Sequence, residues 1–274
     1  MLDQLDALRA LQATGTTAAA ARQLRVSQSA VSKRIAALER EVGLPLTEPV
    51  GRGLRLSSAG ERLLHTAEPL VVRLRDALRA ASAAPEVIAL GATDSLWCSW
   101  LPDALVGLGG PRLAPHAHRG PLLVDRVRRG ALDLALCAAS ELPDLQAVTL
   151  GHEAFVLVGE GETIWCVERG SLTWERLRGR ISRFCPELTP TAHLESFAAI
   201  ARMARAGLGR ALVPEGIARA AGLEGAPLPG LSRPVTALIR PGAAETPWMR
   251  ALVAALGEAV RGQLSGQGAA LDLA

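Results

Sequence analysis

The stretch Val26-Ser27-Gln28-Ser29-Ala30-Val31-Ser32-Lys33-Arg34-Ile35 decides how the N-terminal end of this chain reads. Ser27 is a good helix N-cap, because its hydroxyl can accept from a backbone N–H two or three residues on. Beyond it Val31, Ile35, Leu38 and Val42 recur at i, i+4, i+7 and i+11, the spacing of one buried helical stripe. Ser29, Ser32, Lys33, Ala36 and Arg40 fall on the opposite side. That side is small, hydrogen-bonding and cationic, as a helix entering a major groove requires. Short residues allow close approach, and Gln28, Ser29, Ser32 and Lys33 can reach base edges or phosphates. An ordinary solvated face has the same composition, so the pattern by itself leaves both readings open. Upstream, Leu5, Leu8 and Leu11 predict an amphipathic helix ended by Gly15. Thr16 caps a second helix, Thr17 to Leu24, whose alanines Ala18 to Ala21 let another helix approach closely. Arg25-Val26 makes the tight connection.

Several short motifs then stand in order. They are Ala19-Ala20-Ala21-Arg22-Gln23-Leu24, Val26 to Ile35, Leu38-Glu39, and Gly51-Arg52-Gly53-Leu54-Arg55-Leu56-Ser57-Ser58-Ala59-Gly60. Together they resemble the winged helix-turn-helix of LysR-type transcriptional regulators over residues 1–60. The resemblance implies that Gln28, Ser29, Ser32 and Lys33 are recognition-helix contacts to DNA, with Arg34 flanking. It places Arg52 on the wing, where arginine suits the negative potential of a minor groove. Three positions depart from the family pattern. Thr17 and Thr47 replace usual aromatics, and Pro49 replaces a usual arginine. These departures predict a looser wing and a lower affinity.

The chain has 274 residues, a formal net charge of +3 and 49% hydrophobic residues, which suits two domains with a substantial core. Through Gly60 there are eight bases against five acids, which accounts for the whole formal excess. That polarity fits a nucleic-acid face. No apolar run approaches the ~20 residues a membrane span needs. The start, Met1-Leu2-Asp3-Gln4-Leu5-Asp6, carries acid where a secretory signal carries base, so a cytoplasmic protein is expected. Cys98, Cys137, Cys166 and Cys185 form no C-x-x-C pair, which removes zinc-ribbon and thioredoxin readings. Small buried apolar residues or a thiol sensor remain, the latter needing two sulfurs that meet in space.

From Ser58 to Ala84, Leu64, Ala67, Val71, Leu74, Leu78 and Ala81 repeat at steps of three and four. Such a seam wants a partner helix or its own domain. In the resembled family it is the linker helix that pairs two subunits, and we assign 58–84 to it. Pro69 removes one backbone bond inside it, and Ala83-Ala84-Pro85 ends it.

Beyond Glu86 strand-like and helix-like segments alternate, which predicts an α/β domain with a largely parallel sheet. Strands are expected at Val87–Leu90, Leu113–His118, Leu132–Cys137, Phe155–Val158, Ile164–Val167, Ala211–Val213 and Val235–Ile239. Helices are expected at Ser95–Leu108, Leu122–Arg129 and Leu194–Ala206. This part resembles the family's two-lobed effector domain through Gly91-Ala92-Thr93-Asp94-Ser95 with Leu101-Pro102, Gly130 to Ala135, and Ala206-Gly207-Leu208-Gly209 with Val213-Pro214. The full expectation is therefore an α+β multidomain chain: winged helix-turn-helix, long linker helix, and an effector-binding domain over 86–262. Lobe one takes 86–158 and 233–262, lobe two takes 159–232, and 263–274 form a flexible tail.

Ligands of open α/β folds sit at the carboxyl ends of strands. Thr93, Asp94 and Ser95 lie at such an end, where hydroxyls suit a carboxylate or other anion, although simple helix capping explains them too. Trp97 lies close by. Pro121 faces them, where the family often has a hydroxyl. Arg183 to Pro190 stand where the family carries an extra helix and loop, so the second half of the cleft is altered. His116 and His118 alternate as metal ligands could, but no carboxylate or cysteine pattern joins them. Gly207-Leu208-Gly209 lacks the third glycine of a dinucleotide fingerprint, and no G-x-S-x-G occurs. No cofactor and no catalytic constellation are expected, so the chain is not read as an enzyme. The reading is a LysR-type DNA-binding regulator. Its expected partners are double-stranded DNA, further copies of the chain as homodimer or homotetramer, a small-molecule effector, and RNA polymerase. The alternative is a regulator that is effector-independent or thiol-redox-responsive, with a degenerate pocket.

Overall fold

The computed structural model describes residues 1–51, 53–80, 85–106, 112–139 and 142–264. The wing Arg52, the linker end at 81–84 and the tail residues 265–274 lie outside them. The chain divides into two units, Met1–Asp76 and Ala77–Ala274.

In the first unit α1 (Leu2–Thr14) ends on Gly15, whose φ of 72° is left-handed. The Thr16 hydroxyl accepts from the Ala19 amide and opens α2 (Thr17–Leu24), and the Ser27 hydroxyl accepts from the Ala30 amide and opens α3 (Gln28–Val42). Arg25 between them has φ 55°. A left-handed non-glycine residue there compresses the turn to two residues. Leu8, Leu11, Ala20, Val31, Ile35 and Leu38 form the core with Leu46, Leu56 and Leu64. Val42 is not part of the stripe, being 38% exposed at the last turn of α3.

The wing is a two-stranded antiparallel ribbon of β1 (Thr47–Val50) and β2 (Gly53–Leu56). Its root is tied more firmly than the loss of an aromatic suggested. Glu39 Oε1 accepts from the Leu46 amide (2.9 Å), the Thr47 amide (3.1 Å) and the Thr47 hydroxyl (3.0 Å). The Thr47 hydroxyl thus supplies a polar anchor where an aromatic would have supplied an apolar one. Next, Ser57 caps α4 (Ser58–Ala80) by accepting from the Gly60 amide. A Cβ on Gly60 would stand 2.2 Å from the Leu46 carbonyl oxygen, so only glycine fits this approach. Along α4, Leu64 and Val72 are buried, while Leu70, Leu74 and Leu78 are 60%, 47% and 59% exposed. The expected single seam is therefore split. Its N-terminal half faces the core of its own unit, and an i, i+4, i+8 leucine row stands open.

The second unit runs β3 (Val87–Ala92), α5 (Asp94–Trp97), α6 (Leu101–Leu105), β4 (Arg112–Ala117), α7 (Gly120–Arg128), β5 (Leu134–Cys137), β6 (Gln146–Glu160), β7 (Ile164–Val167), α8 (Leu172–Phe184), β8 (Ala192–Leu194), α9 (Phe197–Arg205), β9 (Gly209–Pro214), α10 (Glu215–Ala220), β10 (Pro227–Ile239), α11 (Pro241–Ala244) and α12 (Pro247–Leu264). Strands pair in the order β4-β3-β5-β10-β6-β9-β7-β8. The sheet is mixed rather than largely parallel. Two parallel groups, β4-β3-β5 and β9-β7-β8, are joined by the long strands β6 and β10, which pair antiparallel with each other and with their neighbours. Each group has its own core: Leu90, Leu101, Leu134 and Leu256 on one side, Phe155, Ile200, Leu212 and Leu231 on the other.

Three segments differ from expectation. The predicted helix Ser95–Leu108 breaks after Trp97 and restarts as α6, with Pro102 in its first turn, where proline is tolerated. Residues Ala192–Leu194 form a strand, and the helix after them begins at Phe197 behind the Ser196 cap. Helix α8 went unseen because its arginine-rich surface and Gly179 mask a short buried stripe of Leu177 and Ile181. No helix follows it before β8; residues 185–191 cross in turns and irregular backbone.

Candidate functional site

On the first unit, α3 presents Gln28, Ser29, Ser32 and Lys33 to solvent. The helix is held rigidly behind them. Gln28 Nε2 donates to the Thr17 hydroxyl (3.0 Å), so Thr17, an aromatic elsewhere in the pattern, locks α2 to the first turn of α3. The Ser27 and Ser29 hydroxyls lie 3.0 Å apart. Arg34 is not on the free face. Its guanidinium donates to Asp3 at 3.0 Å and is about two-thirds covered, which makes it a clasp to α1 rather than a mobile phosphate ligand. On the ribbon, Arg55 pairs with Glu48, which cancels one wing charge. The sequence reading missed the Glu39 and Gln28 clasps, since each joins two different elements across a turn.

On the second unit, a cleft of about 650 Å³ lies between the two strand groups. Thr93, Asp94 and Ser95 line it from the end of β3, and Pro121 lines it from the first turn of α7. Trp97 does not line it. Its indole N–H donates to the His116 carbonyl (3.0 Å), and its ring packs on the core of the first group. The Ser95 hydroxyl is 5% exposed and accepts from Arg233 Nη1 (2.8 Å).

Arg233 is the organising charge of the floor, and the sequence reading did not find it. Its Nε and Nη2 donate to Glu153 Oε2 at 2.9 and 2.7 Å, while Glu153 Oε1 accepts from the Trp100 indole (3.1 Å) and the Gly216 amide (3.2 Å). Both charges are buried, at 4% and 0% exposure. A buried ion pair survives only with this completeness of hydrogen bonding. A Cβ on Gly216 would stand 2.8 Å from Glu153 Oε1, so the glycine makes room for the carboxylate.

At the cleft mouth Arg119, between β4 and α7, pairs with Glu195 and lies 3.6 Å from Glu168, both on the opposite strand group. Hydrogen bonding to Glu195 raises the Arg119 pKa above its ordinary value. Ser196 donates to Asp94 at 3.2 Å across the same gap. Burial, with help from Arg126 and His116, lowers the His118 pKa.

The thiols do not meet. All four are free, and burial pushes Cys137 and Cys166 up to about 12. Burial also raises Cys185, and Cys98, the exposed one, is raised by burial and by Asp94 beside it. His116 and His118 stack at 6.3 Å between ring centroids, and no group of three or more metal-ligating side chains occurs among the described residues.

Two family models match the chain. Residues 2–61 match the bacterial regulatory helix-turn-helix protein of the lysR family, and residues 82–261 match the LysR substrate binding domain. The chain belongs to the LysR family. It is a DNA-binding transcriptional regulator with an effector-binding domain, not an enzyme. An uncharacterized HTH-type transcriptional regulator of Vibrio cholerae is 26% identical over 282 residues, covering 95% of this chain and 96% of that one. Among solved structures, full-length OxyR of Pseudomonas aeruginosa shares the fold with a TM-score of 0.67 at 19% identity, covering 95% of this chain and 97% of the other. Full-length CbnR in complex with its target DNA does so with a TM-score of 0.60 at 20% identity, covering 95% and 99%. None of the described helices is long and apolar enough to cross a membrane.

Proposed function

We propose that this LysR-family regulator reads double-stranded DNA with Gln28, Ser29, Ser32 and Lys33 in a major groove and Arg52 beside it. The observation that carries this is the outer face of α3, exposed, small and cationic on a helix tied to its neighbours by the bonds Gln28–Thr17, Arg34–Asp3 and Glu39–Leu46. Arg34 acts through its bridge to Asp3, positioning the helix. A homodimer, or a tetramer of two dimers, would join through the linker 58–84 and place recognition helices on an imperfect palindrome. RNA polymerase is the partner that transcriptional control requires, and the cytoplasm is where these encounters would occur.

Within 86–262 we take 86–158 with 233–262 as one lobe and 159–232 as the other. A small polar effector would sit between them, its anionic group facing Thr93, Ser95 and Arg233, with Asp94 and Pro121 on the wall and Trp97 behind it. It would act by changing the balance of lobe positions. Three thiols are buried, and burial and Asp94 raise the pKa of exposed Cys98, which argues against the redox alternative, because the thiolate is the reactive species.

The test is a gel-shift titration on DNA upstream of the protein's own gene at two salt concentrations. Selective binding that weakens steeply with salt is the expected result. Lys33→Ala should lower affinity and reduce the salt slope by about one. An unchanged slope in that variant, or equal binding to unrelated DNA, would overturn the assignment.

A further inference from the structure

A second cavity, of about 400 Å³, lies on the other side of the crossing strands. Strand alternation separates the two. In β10 Arg233 faces the effector cleft, so Ser232, Pro234 and Thr236 face the opposite way, and they line the second cavity. In β6 a bulge supplies the matching face. Val235 pairs with Gly151, but Thr236 pairs with Thr149, so one extra residue is inserted and both His152 and Thr149 turn to this side. Helix α8 closes the cavity with Arg176 and Arg180, one turn apart.

The charges here are unlike those of the effector cleft. No carboxylate lines this cavity among the described residues. Arg180 donates to the Gly230 carbonyl (3.0 Å) and to the Ser232 hydroxyl (3.4 Å), which fixes its direction and leaves the Ser232 proton free to donate. Half-buried Arg176 has no hydrogen bond or ion pair among the described residues. Two guanidiniums at i, i+4 repel each other. Without a counter-charge, that arrangement is relieved by an anion held in both forks. The Thr149 and Ser232 hydroxyls and the His152 ring add donors, and the volume suits a small molecule rather than a polymer.

We infer that Arg176 and Arg180, with Ser232 and Thr149, form a second ligand site for a small dianionic oxyanion, a phosphoryl or dicarboxylate group. The site is independent of the effector cleft. Its ligand touches α8 and both crossing strands, so it bridges the segments that join the two strand groups.

The experiment is a calorimetric titration of the full-length protein with inorganic phosphate and, separately, with succinate, at constant ionic strength. Saturable binding of one per chain is expected for at least one probe. Phosphate alone identifies a phosphoryl site, succinate alone a dicarboxylate site, and both a general dianion site. Arg176→Gln and Arg180→Gln should each weaken binding at least tenfold. Arg176→Gln removes no native hydrogen bond, so its thermal midpoint should match the parent. Arg169→Gln, which deletes a cation lining the other cleft without cutting an ion pair across its mouth, should leave the affinity in place. No saturable binding of either probe, binding indifferent to Arg176→Gln, or binding lost only in Arg169→Gln would each overturn the proposal.

Discussion

Glu153 and Arg233 show how much one residue pair can carry. The carboxylate has no contact with water, yet each of its oxygens accepts two hydrogen bonds, and the arginine reaches on to Ser95 in the cleft floor. Arg233→Met should lower the unfolding free energy of the second unit by about 3–5 kcal/mol, because it leaves Glu153 buried without a partner. Denaturant melts would read this, and the double variant Glu153→Leu/Arg233→Met should recover part of the loss. The thiols make a second prediction at this scale. A disulfide reagent at pH 8 should modify one cysteine per native chain, Cys98, and slowly, because burial and Asp94 keep its thiol protonated. The other three should react only after denaturation. Fast labelling of Cys137 would contradict its burial and its pKa of about 12.

At the scale of elements, the first unit was legible because its signals are local. Caps at Thr16 and Ser27, a stop at Gly15 and an apolar stripe each act within one or two turns, and all but the last stripe position, Val42, fall where expected. The wing root was not legible, since Glu39 meets Thr47 eight residues away, across a turn. Glu39→Ala should destabilise the first unit by about 1–3 kcal/mol, the cost of leaving partly buried amides unpaired. It should also weaken specific DNA binding, which a melt and a gel shift would separate. In the second unit most strand segments were read correctly, but β8 was missed and the lengths of β6 and β10 were not foreseen. Their alternation is interrupted by a bulge and by passage from one core to another, so no single period runs through them. The exposed face of Gln28, Ser29, Ser32 and Lys33 was therefore legible in sequence, whereas Arg119, Glu153, Glu168, Glu195 and Arg233 were not, because they converge only after the sheet forms. On α4, the open row of Leu70, Leu74 and Leu78 supports the proposed pairing of subunits. Leu74→Glu should shift the solution mass measured by light scattering towards the monomer.

At the scale of the whole molecule, the cleft is spanned by charges from both strand groups. Arg119 holds Glu195 and Glu168, and Asp94 holds Ser196. Such exposed pairs are individually weak and are screened by salt. The strand groups are thus positioned to separate and rejoin at small cost, as an effector-responsive unit requires. Arg119→Gln should lengthen the distance between labels placed one on each group, and added salt should do the same to the parent. No change in either case would show that packing rather than charge sets the gap.

The crossing strands have one more consequence. The chain leaves along β6 and returns along β10, and the two are hydrogen-bonded side by side, Glu153 opposite Arg233 and Thr149 opposite Thr236. Everything from β7 to α10 is therefore a cassette spliced into a continuous host, with its entry and exit touching. A cassette of that kind can be trimmed or exchanged without rethreading the host, because the ends stay joined whatever lies between them. The passage from Cys185 to Thr191 can be lengthened or shortened on the same terms, and the same geometry makes this lobe a natural unit of exchange when a regulator of this architecture acquires a new signal.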